Sequence, residues 1–95
     1  MIAQVMLSLP AVLTHANASD CELSLKVQIE AQPSPVVIEA GKLKEFDSSA
    51  LAVLLAGRRH ALSLSKAFSV NGLPARLRQL ANLYGVAELI SSPSN

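Results

Sequence analysis

Asp47, Ser48 and Ser49 stand between Phe46 and an apolar run that begins at Ala50, in the segment "EFDSSALAVLL". A carboxylate followed by two hydroxyls could serve several kinds of chemistry. General acid–base work of the glycosidase type needs a second carboxylate nearby, and only Glu39 and Glu45 are close in sequence, both reading equally well as solvated acids. A Ser-His-Asp nucleophile could be drawn from either serine with His15 or His60, but neither histidine has an anchoring motif and no G-x-S-x-G elbow is present. The remaining chemistry is that of a helix start. There a serine hydroxyl can accept a hydrogen bond from a first-turn N–H, and the exposed N–H groups favour negative charge. A phosphate on either serine would be stabilised locally and would add roughly −1.5 to −2 charges. Capping and presentation to a partner both remain open for this pair.

Other reactive side chains are scattered. His15 follows Thr14, a candidate N-cap, and reads as a surface histidine. His60 follows Arg58 and Arg59 near the end of a helical pattern, where positive charge complements the carbonyl end of the dipole. The same "RRH" offers Arg58 or Arg59 for pairing with an acidic patch on a partner. Arg76 and Arg78 read as a solvated face. Cys21 is the single cysteine, so no internal disulfide can form, and it reads as a small buried hydrophobe in a reducing cytoplasm. Gly41, Gly57, Gly72 and Gly85 are isolated and make no phosphate cradle. No metal or cofactor is expected.

The bulk properties narrow the classes further. Ninety-five residues suit one small domain, expected over 1–90 with 91–95 as a flexible tail. With 51% apolar and 16% charged residues and a mean hydropathy of +0.38, the chain is rich enough in aliphatics that some apolar surface should meet a partner. A net charge of +1 and 3% aromatic residues supply neither an electrostatic footprint nor a stacking platform for nucleic acid. The longest apolar stretch, 50–56, is far short of the roughly 20 residues of a spanning helix. The start, "MIAQVMLSLPAVLTHA", has a leader-like hydrophobicity but no basic n-region and is broken by Gln4, Ser8 and Pro10, so it is expected to belong to the fold.

The elements that must position these residues follow from periodicity. Val5, Leu7 and Leu9 alternate with Gln4, Met6 and Ser8 as a strand ended by Pro10. Leu23, Leu25, Val27 and Ile29 alternate like a strand, yet Ala18, Cys21, Leu25 and Ile29 also fall at helical steps. Period alone leaves 22–31 undecided; a Thr14 cap, Asp20 and Glu22 early on and the "QPSP" stop favour a helix over about 15–31. "PVVIEA" predicts a short strand buried on both faces, with parallel neighbours. Ser48 or Ser49 opens a second helix to about Leu62, with Leu51, Leu54, Leu55 and Arg58 stepping along it. "KAFSV" predicts a strand with Phe68 and Val70 on one face, Asn71-Gly72 a turn, and Pro74 the first position of a third helix lined by Leu77, Leu80, Ala81 and Tyr84 and ended by Gly85. Val86, Leu89 and Ile90 predict a last short helical turn. The order β-α-β-α-β-α predicts an α/β fold, with a mainly parallel sheet of about four strands flanked by three to four helices.

"FDSSALAVLL", followed about 20 residues on by "KAFSVNGLPARLRQLANLYGVAELI", resembles the STAS domains, named for sulfate transporters and anti-sigma factor antagonists. "LPARLRQLANLYGV" is similar to the end of the small STAS subunit of the bacterial Mla phospholipid-transport ABC complex, and "LPAVLTHANA" to a short strand leading into the first helix. The resemblance spans about 5–90 and supports a helix at 15–31. It implies a non-catalytic chain that binds and stabilises the ATPase subunit of a phospholipid-transporting ABC complex, cytoplasmic and peripheral to the inner membrane. On this resemblance Asp47 matches the junction aspartate, Ser48 the hydroxyl pressed against the ATPase, and Ser49 the serine that antagonists phosphorylate. Arg58 and Arg59 would join the docking side of the second helix. The alternative it implies is an anti-sigma factor antagonist switched at Ser49 by a kinase; Ala50 departs from the glycine that antagonists carry there. The shortened N-terminal strand pair would leave an edge for self-association or for a partner.

Overall fold

The computed structural model describes residues 7–90. Its elements in chain order are β1 (Leu7–Ser8), β2 (Val12–Leu13), α1 (Ala18–Ala31), β3 (Val36–Glu39), β4 (Glu45–Phe46), α2 (Ser49–Ser63), β5 (Phe68–Asn71), α3 (Ala75–Leu83) and α4 (Ala87–Ile90). The α/β class, the parallel sheet and the helices over 49–63 and 75–83 agree with the periodicity, and the helix over 18–31 agrees with the end signals and the resemblance that favour it where periodicity is undecided. Residues 4–6 of the first expected strand and the tail at 91–95 lie outside the described residues.

The main sheet has the order β1-β3-β5 with both pairings parallel, Leu7 opposite Ile38 and Ile38 opposite Val70. Leu7, Leu9, Val36, Ile38 and Val70 share one face and are buried. Val37, Glu39 and Ser69 on the other face are only half-buried, so β3 is not buried on both faces as its β-branched run suggests. Helical cover on one side is enough to seal a four-residue strand, and the polar Glu39 and Ser69 keep the other side wet.

A second, two-stranded parallel sheet joins β2 to β4, with Leu13 opposite Phe46. Neither strand is visible in the periodicity, because two residues cannot establish an alternation. The pairing is extended by the N–H groups of Lys44 and Glu45, which both donate to the Ala11 carbonyl at 2.8 and 3.0 Å. Leu43 is buried beneath this loop. This small sheet matters because it delivers residue 46, and therefore Asp47, to the start of α2.

Helix α2 is the centre of the helical layer and packs against α1, α3 and α4. Ala50, Leu51, Val53, Leu54 and Ala61 are buried on it. Gly57 faces α1: a Cβ there would lie 2.9 Å from Leu25 Cδ2 and 3.4 Å from Ile29 Cδ1, so the absence of a side chain lets the two helices approach. On α1, Leu25 and Ile29 are buried while Leu23 and Val27 are exposed, which resolves the ambiguous alternation: half of those apolar residues point to solvent.

The helix ends are less regular than the sequence suggests. Helix α1 begins at Ala18, three residues past the expected start, and Thr14 is not its cap. Instead the Asn17 side chain accepts from the Thr14 N–H at 2.9 Å and donates to the Val12 carbonyl at 2.9 Å, folding residues 12–17 into a turn before the helix. At the other end Lys66 Nζ donates to the carbonyls of Ile29 and Glu30 at 2.8 and 3.0 Å, supplying the cation that the last turn of α1 lacks. Pro74 precedes α3 rather than opening it, and its carbonyl accepts from the Arg78 N–H. Gly85 does end α3, with φ +74° and the paired bonds Val86 N–H to Ala81 and Gly85 N–H to Asn82. The same pattern ends α2, but Ser65 holds the left-handed position at φ 61°. Tyr84 does not line α3; it lies just beyond it and is exposed.

Candidate functional site

The junction between β4 and α2 brings together Phe46, Asp47, Ser48, Ser49 and, from the turn before α1, His15. Two-residue pairing with β2 fixes the direction of the chain at Phe46, and α2 then starts within three residues. The expected serine cap is replaced by an aspartate cap. Neither Ser48 nor Ser49 caps α2 through its side chain; Asp47 Oδ1 accepts from the Ser49 N–H at 2.8 Å. Asp47 can do this because its side chain reaches forward two residues, the geometry of an Asx turn, whereas Ser48 already has helical angles and cannot fold back on the first turn.

The other carboxylate oxygen works across the fold. Asp47 Oδ2 accepts from the His15 N–H at 3.1 Å and meets His15 Nδ1 at 3.2 Å, so one side chain ties the start of α2 to the loop before α1. These contacts hold the carboxyl well below its usual range, to about 2. The Ser49 N–H is the largest cause, followed by the His15 N–H, with smaller contributions from the His15 ring and the Ser49 hydroxyl. Asp47 is therefore ionised under all ordinary conditions.

Ionised Asp47 next to a histidine is the first half of a nucleophilic relay, but the second half is missing. The His15 ring is bonded to Asp47 and the His60 ring to Glu30 Oε2 at 2.9 Å, and no hydrogen bond joins either ring to a serine hydroxyl among the described residues. Within the same residues no group of three or more His, Cys, Asp or Glu side chains is placed to hold a metal ion. What the junction presents outward is an exposed hydroxyl at Ser48, a half-buried one at Ser49, and a helix start fixed in place by Asp47.

The remaining residues singled out from sequence are not part of this cluster. Arg59 lies 11 residues beyond Ser48, about 16 Å along the α2 axis, and Arg58 sits beside it. Yet helical stepping sets Ser48, Ala52, Leu55 and Arg59 on one side of α2, and all four are exposed or half-exposed. The junction and Arg59 are thus two ends of one stripe. Arg59 also lines a small cleft between α1 and α2 with Lys26, Ala56, His60 and Ser63.

Two neighbours of the junction were not apparent in the sequence. Arg76, at the start of α3, lies 5.5 Å from the centroid of the Phe46 ring, a cation–π distance that places a guanidinium beside the Asp47 turn. His15 is the other. No spacing links either to residues 46–49, since His15 is 32 positions from Asp47. Cys21 is half-buried against the core, and burial pushes its thiol pKa up, so it is a poor nucleophile.

A strand-to-helix junction at an Asp-Ser-Ser turn, on a parallel sheet with this helix order, is the arrangement that the STAS resemblance implies. The family model described as the MlaB STAS domain matches residues 2–91. The chain belongs to the STAS domain family. Its match is to the MlaB type and takes in every described element from β1 to α4. No curated protein matches the chain. No helix among the described residues is long and apolar enough to cross a membrane.

Proposed function

We propose that this STAS domain is a non-catalytic subunit that binds and stabilises the cytoplasmic ATPase of a phospholipid-transporting ABC complex, one that maintains outer-membrane lipid asymmetry. In this reading it is peripheral to the inner membrane through that complex. The observation that carries the proposal is the exposed Ser48 at a rigidly capped helix start, continued by Ala52, Leu55 and Arg59 along the outward side of α2. Membership of the MlaB-type family supports the choice of partner.

The physics suits docking better than chemistry. A fixed helix start with a short side chain lets a partner approach the backbone closely, and small or apolar residues behind it can be desolvated at little cost. Asp47 keeps the turn in one conformation before binding, which lowers the ordering entropy of association. Ser48→Arg would place a long cation in the centre of that contact. Co-purification of the ATPase with wild type and with Ser48→Arg tests the proposal: a sharp fall in recovered ATPase is expected, and undiminished recovery would refute this surface.

The second reading, an anti-sigma factor antagonist switched by a kinase, rests on Ser49. Ser49 is half-buried and its N–H is bound to Asp47, whereas Ser48 is exposed, and this accessibility favours the first reading. Intact mass of the protein isolated from its host separates the two, because a phosphorylated species under some growth condition is required only by the switch.

A further inference from the structure

All four arginines of the chain lie on two neighbouring helices, Arg58 and Arg59 on α2, Arg76 and Arg78 on α3. Neither helix contains a carboxylate. All seven carboxylates and all four lysines lie elsewhere, so a chain of net charge +1 holds a surplus of four positive charges on α2 and α3 and a deficit of three over the rest. Among the described residues the ion pairs are His15–Asp47, Lys26–Glu22 and His60–Glu30, and none uses an arginine. Arg76 rests on the Phe46 ring and Arg78 Nη2 on the Leu73 carbonyl at 3.5 Å.

Their placement is as informative as their number. Arg76 stands at the Ser48 end of α2, beside Phe46, while Arg58 and Arg59 stand at the far end. Between them run exposed Ala52 and half-exposed Leu55. Arginines on helices that carry no carboxylate, with the half-exposed Leu55 between them, fit a protein–protein contact, where arginine is enriched and acids are depleted. An anionic membrane surface attracts lysine and arginine alike, whereas bidentate pairing with carboxylates favours the arginine that α2 and α3 carry.

We infer that the α2–α3 face recognises a protein surface whose carboxylates bracket a small apolar contact, with Arg59 and Arg76 as the paired anchors at its two ends. This rests on the docking role proposed above and deepens it: it extends the contact to α3 and specifies the acidic chemistry of the partner.

The test uses the full chain and the purified ATPase subunit of the cognate transporter, with affinity measured by calorimetry at low and high salt. Arg59→Glu and Arg76→Glu should each weaken binding by about tenfold or more, as for reversal of a close interfacial charge, and wild-type affinity should fall as salt rises. Arg76→Lys keeps the charge and threatens the fold least, and should still weaken binding by several-fold through loss of the planar fork. Lys42→Glu, on the loop after β3, should bind like wild type. If wild type binds the ATPase but both glutamate variants bind equally well, the arginine inference is overturned and the docking role stands. Absence of wild-type binding overturns both. Binding of wild type to phosphatidylglycerol vesicles, lost in the glutamate variants, with no effect of these variants on the ATPase, would overturn the inference in favour of a membrane surface.

Discussion

Replacing Gly57 by alanine separates two opposing effects whose balance follows from the packing of α1 on α2. In an isolated helix the change is favourable by about 1 kcal/mol, since glycine has the greater backbone freedom to lose. Here the new Cβ would sit 2.9 Å from Leu25 Cδ2 and 3.4 Å from Ile29 Cδ1. Leu25 is 4% exposed and Ile29 fully buried, so neither methyl can swing into solvent. Overpacking of a closed core costs about 1–3 kcal/mol. The net expectation is a destabilisation of about 1 kcal/mol, or a fall in Tm of about 4–8 °C for a domain of this size. Gly57→Val adds two more methyls and should be worse, by about 3 kcal/mol.

The diagnostic measurement is a double-mutant cycle followed by urea unfolding. Leu25→Ala alone should cost about 2–5 kcal/mol through the cavity it leaves. In that background the methyl group added at position 57 occupies the vacated space, so Gly57→Ala should become stabilising by about 1 kcal/mol, a change of sign and a coupling of about 2 kcal/mol, within the range for contacting residues. Additive effects, or stabilisation by Gly57→Ala in the wild-type background, would refute the close approach of α1 and α2 at Gly57.

Three further expectations follow from the caps and the thiol. Asp47 has its carboxyl lowered to about 2 in the fold, so its contribution to stability is fully present above the unfolded value near 4 and is lost as pH falls through about 2. Asp47→Asn should flatten that acid limb, which stability curves between those pH values would show, and should loosen the His15 loop in amide exchange. Ser65→Gly relieves a left-handed residue with a Cβ at the end of α2 and should stabilise by about 1 kcal/mol; no change in urea midpoint would count against the strain. The Cys21 thiol, with its pKa raised by burial, should react with iodoacetamide more slowly in the native protein than in urea at the same pH, and equal rates would contradict its packing against the core.

Helix α2 was legible because 15 residues give a period several turns to show itself, and Asp47-Ser48-Ser49 marked its start. Which atom caps that start was not legible. Aspartate and serine are near-equal caps by type, and the choice depends on the backbone angles of residue 48, which are already helical. Thr14 failed as a cap for a similar reason: Asn17 competes for the same turn and wins by bonding the Val12 carbonyl. Exposed Leu23 and Val27 explain why the alternation in α1 was ambiguous, since their hydrophobicity matched the buried Leu25 and Ile29.

By itself the sequence determined the helices α2 and α3, the strands β3 and β5, the glycine stop at Gly85 and the resemblance centred on Asp47-Ser48-Ser49. These depend on interactions among residues a few positions apart, whose energies are fixed by type and spacing. Only the tertiary structure decided that Asp47 binds His15 across 32 positions, that Lys66 caps α1 across 36 and 37, and that Arg76 joins Phe46 beside the candidate site. Such contacts exist only once parallel pairing has brought distant segments together, and side-chain type alone carries no record of that meeting.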